Sequence, residues 1–107
     1  MQKINFIEVA MAIPWDEGRG LERRRITRQE LAKKFGVSDR VIRKAIEEAR
    51  NDGCFIINEQ DGSGYYRTQN LDILERQYKQ DTARAMAILK RRKAIRQHLR
   101  MCGRDVK

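Results

Sequence analysis

The chain has a single histidine, a single proline, two cysteines and few aromatic residues, 7% in all. Each shortage closes off a class of function. His98 has no second histidine or partner carboxylate at ligand spacing, and Cys54 and Cys102 form no C-x-x-C or Cys/His cluster, so no zinc site is expected. Cys54 reads as a small buried residue and Cys102 as a thiol near a frayed end. No catalytic triad or phosphate-cradling glycine loop is present, which points away from an enzyme and from any bound cofactor. No apolar run reaches the about 18 residues that a membrane-spanning helix requires. The first residues also lack a basic segment followed by an apolar core, so a cytoplasmic protein is expected.

Basic charge, by contrast, is abundant: the 107 residues carry a net +9, with a pI near 10.1. A balance of this kind favours polyanionic partners. The charge is clustered, with a net +3 over residues 19–27, +3 over 28–51, −3 over 52–83 and +8 over 84–107. At 40% hydrophobic content the chain can build one small domain with a modest core, plus an extending element.

The stretch "KINFIEVAMAI" places Ile4, Ile7 and Met11, with Phe6, Ala10 and Ile13, on a broad apolar stripe at helical spacing. Pro14 pushes the residue before it out of the helical region, so the helix should end near Ile13. The following "WDEGRGLERRR" has two glycines and no apolar period and reads as an exposed connector, with Trp15 pinning its start to the core. Within it Arg23, Arg24 and Arg25 are candidates for phosphate contact, weighed against a solvated basic run.

A second helix is expected from Arg28. Thr27 and Glu30 have the spacing of a capping box, and Leu31, Ala32 and Phe35 form the buried face. Gly36 can take the positive φ that a sharp turn needs. Ser38 can cap a third helix, and Asp39 in its first turn complements the helix dipole. In that helix, 39–51, Val41, Ile42, Ala45, Ile46 and Ala49 share one face while Arg40, Arg43, Lys44 and Glu47 share the other. Asn51, Asp52 and Gly53 end it. A narrow cationic face on the second helix of a tight pair fits the DNA major groove, where arginine or lysine donates to guanine O6 and N7. Arg40, Arg43 and Lys44 are therefore the candidate base readers. "CFII", "NEQDGSG" and "YYRT" then read as strand, turn and strand.

The run "ITRQELAKKFGVSDRVIRKAIEEARNDG" followed by "CFIINEQDGSGYYRT" resembles the winged helix-turn-helix of biotin-operon-repressor-type regulators. More closely, residues 3–100 resemble small phage and prophage winged-helix proteins that add a long helix after the hairpin. The resemblance implies a mostly α fold with a small β-hairpin: a winged helix-turn-helix over 1–69 and a long basic C-terminal helix over 70–107. It assigns base reading to Arg40, Arg43 and Lys44, and phosphate positioning to Arg28 and Ser38. The wing tip carries Glu59 and Asp61 and no basic residue before Arg67, which speaks against minor-groove insertion and leaves Arg67 as the wing's candidate for the DNA backbone. Tyr65 and Tyr66 are expected to pack the sheet on the core. The catalytic domain of the full-length repressor has no counterpart in the chain.

Residues 71–102 lack proline and glycine and should be helical. Leu71, Leu74, Tyr78, Ala85, Ile88, Ile95 and Leu99 fit an a/d-like seam for packing against the domain or a symmetric partner, interrupted by Asp81 and Arg92. A short helical homodimer contact is expected. The run "KRRK" points around the whole helix, so it serves either as a solvated end or as an arm for phosphate or an acidic partner. Residues 90–107 hold no aromatic residue, which argues against a membrane surface as target. Two classes of function follow. One is a sequence-specific binder of double-stranded DNA, acting as a transcriptional regulator or a phage replication or recombination accessory protein. The other is a scaffold whose long helix docks on a phage or host protein.

Overall fold

The computed structural model describes residues 4–18, 23–59 and 62–107. Residues 19–22 of the expected connector and Gln60 and Asp61 of the expected wing tip lie outside the described residues. Contacts divide the chain into two units, Met1–Leu74 and Glu75–Lys107.

In the first unit, helix α1 (Phe6–Ala12) is capped by Asn5, whose side chain accepts from the Ile7 N–H, and ends at Ile13, which is extended as expected before proline. Helix α2 (Arg28–Phe35) opens with a full capping box: Thr27 Oγ1 accepts from the Glu30 amide at 3.1 Å, and Glu30 Oε1 accepts from the Thr27 amide at 3.4 Å. Gly36 closes α2 in the left-handed region at φ 65°. Ser38 then caps helix α3 (Asp39–Asn51) by accepting from the Val41 amide at 3.3 Å. The helix pair follows from local chemistry at every boundary: a cap, a permissive glycine, another cap.

Ile42, Ala45, Ile46 and Ala49 of α3 are buried, and α1 and α2 both pack on it. With Val9, Ala10, Ile13 and Leu31 they form the core that the hairpin closes through Ile56 and Tyr65. Strand β1 (Ile56–Asn58) pairs antiparallel with β2 (Tyr65–Arg67), with Ile57 opposite Tyr66. Tyr65 and Tyr66 are both buried, as expected for residues that pack the sheet on the core. The architecture is mostly helical, with a two-stranded hairpin after the helix-turn-helix and a long final helix, α4 (Leu71–Met101).

Two expectations need correction. The core face of α1 runs through Val9, Ala10 and Ile13, whereas Ile7 and Met11 are exposed. This short helix is apolar on nearly every side, so periodicity alone does not select the face that α3 covers. The segment expected to be an exposed connector is also bound at both described ends. Asp16 N–H donates to the Arg67 carbonyl at 2.9 Å and Arg67 N–H to Pro14 at 2.8 Å, while Ile26 and Tyr65 exchange amide bonds at 3.1 and 2.7 Å. Backbone groups at the free edge of β2 need partners, and the connector supplies them. Trp15 is accordingly about half exposed instead of pinned in the core.

Helix α4 begins in the first unit. Asn70 Oδ1 accepts from the Asp72 and Ile73 amides, and its Nδ2 donates to the Glu17 carbonyl at 2.7 Å. Glu17 also accepts from Thr68 Oγ1 and the Gln69 amide. The remainder, from Glu75, forms the second unit, and no residue of α4 is buried.

Candidate nucleic-acid interface

The outward face of α3 is set by its inward one. Because Ile42, Ala45, Ile46 and Ala49 are held in the core, helical spacing turns Arg40, Arg43, Lys44 and Glu47 to solvent, and all four are exposed. Arg40 and Lys44 have no hydrogen bond or ion pair to other described residues, so their donors are available to a partner.

Arg43 is engaged. Its Nε donates to Asp39 Oδ2 at 3.2 Å, and Arg28 Nε donates to Asp39 Oδ1 at 3.1 Å. One carboxylate thus holds two guanidinium groups, one from each helix of the pair, on the exposed side of the turn. Sequence reasoning treated Asp39 only as a complement to the helix dipole. The i, i+4 spacing to Arg43 was legible, but the link to Arg28 depends on how the two helices meet. Ser38 is exposed beside this group. Its oxygen is engaged as a cap, which leaves its O–H free to donate. A groove of about 500 Å³ adjoins the cluster, lined by Thr27, Arg28, Gln29, Asp39, Asn58, Gly62, Gly64 and Tyr65.

Four arginines are candidate phosphate contacts outside the helix pair: Arg23, Arg24, Arg25 and Arg67, of which Arg23 is exposed. Arg24 is exposed, and its amide donates to Asp16 at 3.1 Å while its side chain faces solvent. Arg25 is turned inward: it is ion-paired with buried Asp16, its guanidinium lies 3.6 Å from the centroid of the Tyr66 ring, and only 11% of its side chain is exposed. Its Nε has no hydrogen-bond partner among the described residues, so a stack on Tyr66 stands where a second acceptor would. Arg67 donates to the carbonyls of Ile13, at 2.7 Å, and Met11, and covers the Trp15 ring at 4.5 Å. Both side chains hold the connector and α1 to the hairpin. Glu59, expected at the wing tip, accepts from the Tyr66 hydroxyl at 2.6 Å.

Asp16 anchors this inner network. Burial alone would raise its carboxyl, but the Gly18 amide, the Arg25 guanidinium and the Arg24 amide together hold it below the usual carboxylate range. It is charged at neutral pH and balances Arg25.

In the second unit the seam residues Tyr78, Ala85, Ile88 and Ile95 are all exposed along α4; Leu71, at its start, is exposed and Leu74 half-buried. Among the described residues no helix is long and apolar enough to cross a membrane, and no group of three or more His, Cys, Asp or Glu side chains could hold a metal ion.

Residues 21–66 match the model of a family described as an HTH domain. The match spans α2, the turn, α3 and most of the hairpin, and excludes α1 and α4. It supports a helix-turn-helix domain of the DNA-binding type over these residues. No curated protein and no solved structure matches the chain.

Proposed function

We propose that the protein is a sequence-specific binder of double-stranded DNA that acts as a transcriptional regulator and reads the major groove with α3. The observation that carries this is the one-sided helix: Arg40, Arg43 and Lys44 exposed on the second helix of an HTH-matching pair, opposite four buried apolar residues. Arginine and lysine are the side chains that donate to guanine O6 and N7. Arg28 and Ser38 adjoin that face, and they and the exposed Arg24 supply donors for phosphates, which position the helix without reading sequence. The resemblance to small phage and prophage winged-helix proteins supports a regulator of that origin. The row of exposed apolar side chains on α4 supports a homodimer, and a symmetric dimer reads inverted half-sites.

Selection from random duplex DNA at near-physiological salt, with wild type beside Arg40→Ala/Arg43→Ala, tests the reading. An enriched motif that the double variant loses is the expected result, with Arg43→Ala alone costing about 1–3 kcal/mol at one base position. Enrichment of nothing, with wild type and variant binding bulk DNA alike, sinks it. In that case the exposed apolar row of α4 becomes the primary interface and the protein a scaffold.

A further inference from the structure

The exposed row on α4 has an internal symmetry. Tyr78, Asp81, Ala85, Ile88, Arg92 and Ile95 are spaced alternately three and four residues apart, and this order reads the same from either end. A helix carrying such a row can lie against a reversed copy of itself with every position matched. The centre of symmetry falls between Ala85 and Ile88. In that register Ala85 faces Ile88, Tyr78 faces Ile95, and the two charged residues that interrupt the row, Asp81 and Arg92, face each other.

We propose that residues 78–95 of α4 form an antiparallel pair with a second copy of this chain, centred between Ala85 and Ile88, in which Asp81 of each copy faces Arg92 of the other. The proposal rests on the dimeric reading given above and adds its direction and register.

Three observations converge on it. The first is the unpartnered surface: Tyr78, Ile88 and Ile95 are 72%, 53% and 54% exposed, and Met86 and Leu89 beside them are 62% and 52% exposed. Second, the charges select the register. A shift of one heptad in one direction sets Asp81 against Ala85 and Arg92 against Leu74; in the other it sets Asp81 against Leu99 and Arg92 against Ile88. Each shift leaves a lone charge against an apolar side chain, a cost that the central register alone removes. A polar pair inside an apolar seam is a known means of fixing register at some expense of stability. Third, the charge balance selects direction. Parallel pairing would lay the basic stretch from Lys90 to Arg100 beside its own copy. Antiparallel pairing lays it beside residues 73–83, where Glu75 and Asp81 offset Arg76 and Lys79. Asp81 now accepts from Gln77 at 2.9 Å and Arg92 donates to the Lys107 carbonyl at 3.2 Å, both exposed contacts that an ion pair can displace.

Sedimentation equilibrium of the full chain, without DNA, over a concentration series tests the proposal with wild type, Asp81→Arg, Arg92→Asp and the double exchange. Each single variant puts two like charges face to face twice in the antiparallel dimer, and should raise its dissociation constant at least about tenfold. The double exchange restores both pairs and should recover the wild-type constant, which also shows that the substituted helix still folds. In a parallel dimer each single exchange swaps one like-charge pair for another, so neither variant would weaken it. A wild-type dimer indifferent to all three variants therefore overturns the register while leaving the dimeric reading intact. A wild type that stays monomeric overturns both, and the DNA-binding reading is untouched by either outcome.

Discussion

The basic side chains of the two units are used in different ways. In the first unit arginines are spent on structure: Arg25 on Asp16 and Tyr66, Arg67 on the carbonyls of Ile13 and Met11, and Arg50 on the Ile56 carbonyl at 3.0 Å with Tyr65 beneath it. In the second unit Lys90, Arg91 and Lys93 are exposed on a helix with no buried residue, and Arg92 and Arg100 reach only terminal carbonyls. Net charge thus overstates the first unit's capacity for polyanions. What remains for a partner there, among the described residues, is the outward group of Arg24, Lys33, Lys34, Arg40, Lys44 and the pair held by Asp39. A compact unit consumes cations to satisfy buried carbonyls and carboxylates, whereas an unburied helix leaves them to salt and solvent.

The comparison is broken most severely where the first unit's inner network depends on backbone approach. Gly64 sits at φ 111°, and a Cβ there would stand 2.4 Å from the Ile26 carbonyl oxygen, part of the exchange that ties the connector to β2. Backbone cannot yield as a flexible side chain can. Gly64→Ala should cost about 3 kcal/mol or more. Gly36→Ala, which meets nothing within 4 Å and pays only for the left-handed backbone, should cost about 1 kcal/mol. Urea denaturation of the two variants checks the ranking, and equal losses would show that the connector's pairing with β2 contributes little.

Next in size is the buried pair at the centre of the network. The Gly18 and Arg24 amides bond different oxygens of Asp16, so Asp16→Asn keeps an acceptor for only one of them; it also removes the charge opposite Arg25, and should cost about 2 kcal/mol at neutral pH. The sign of the pH dependence follows from the lowered carboxyl. A carboxylate held below its unfolded value of about 3.9 contributes its full stabilisation above that pH and loses it as pH falls through the folded value. The gap between wild type and Asp16→Asn should therefore be constant from neutral pH to about 5 and should close below about 4. A gap that persists unchanged at about pH 3 would mean that the charge is not what stabilises the site.

The helix pair was legible in the sequence because each of its boundaries is local: Thr27 with Glu30, Gly36, and Ser38 with Asp39 all act within four residues of the groups they satisfy. The inward and outward faces of α3 were legible for the same reason, since 3.6-residue spacing is a local property. Partners distant in sequence were not. Arg25 finds Asp16 nine residues away, and Arg67 finds the Ile13 carbonyl fifty-four residues away, so both read as surface cations until the hairpin is folded against the connector. The α1 face was misjudged for another reason: with Phe6, Ile7, Val9, Ala10, Met11 and Ile13 all apolar, composition satisfies more than one face, and packing on α3 decides.

The smallest expected effect is also the one that bears most directly on DNA. Asp39 is the acidic residue that pairs with the outward cations Arg28 and Arg43 of the first unit, and these pairs are about half exposed, so each contributes little to stability, under about 1 kcal/mol. Its larger effect should lie in binding. A carboxylate on the recognition face repels phosphate, yet it also restrains the Arg43 guanidinium through its Nε. Asp39→Asn removes repulsion and restraint together. Affinity for scrambled duplex should rise up to about fivefold and the salt slope should steepen by at most about 0.9, as one more phosphate is neutralised. Affinity for the selected motif should rise less, so the ratio of specific to nonspecific binding falls. Titration of both duplexes at two salt concentrations measures all three quantities. If both affinities rise by the same factor, Asp39 is only a negative charge near DNA; if the ratio falls, it is a positioning residue that gives up affinity to orient Arg43.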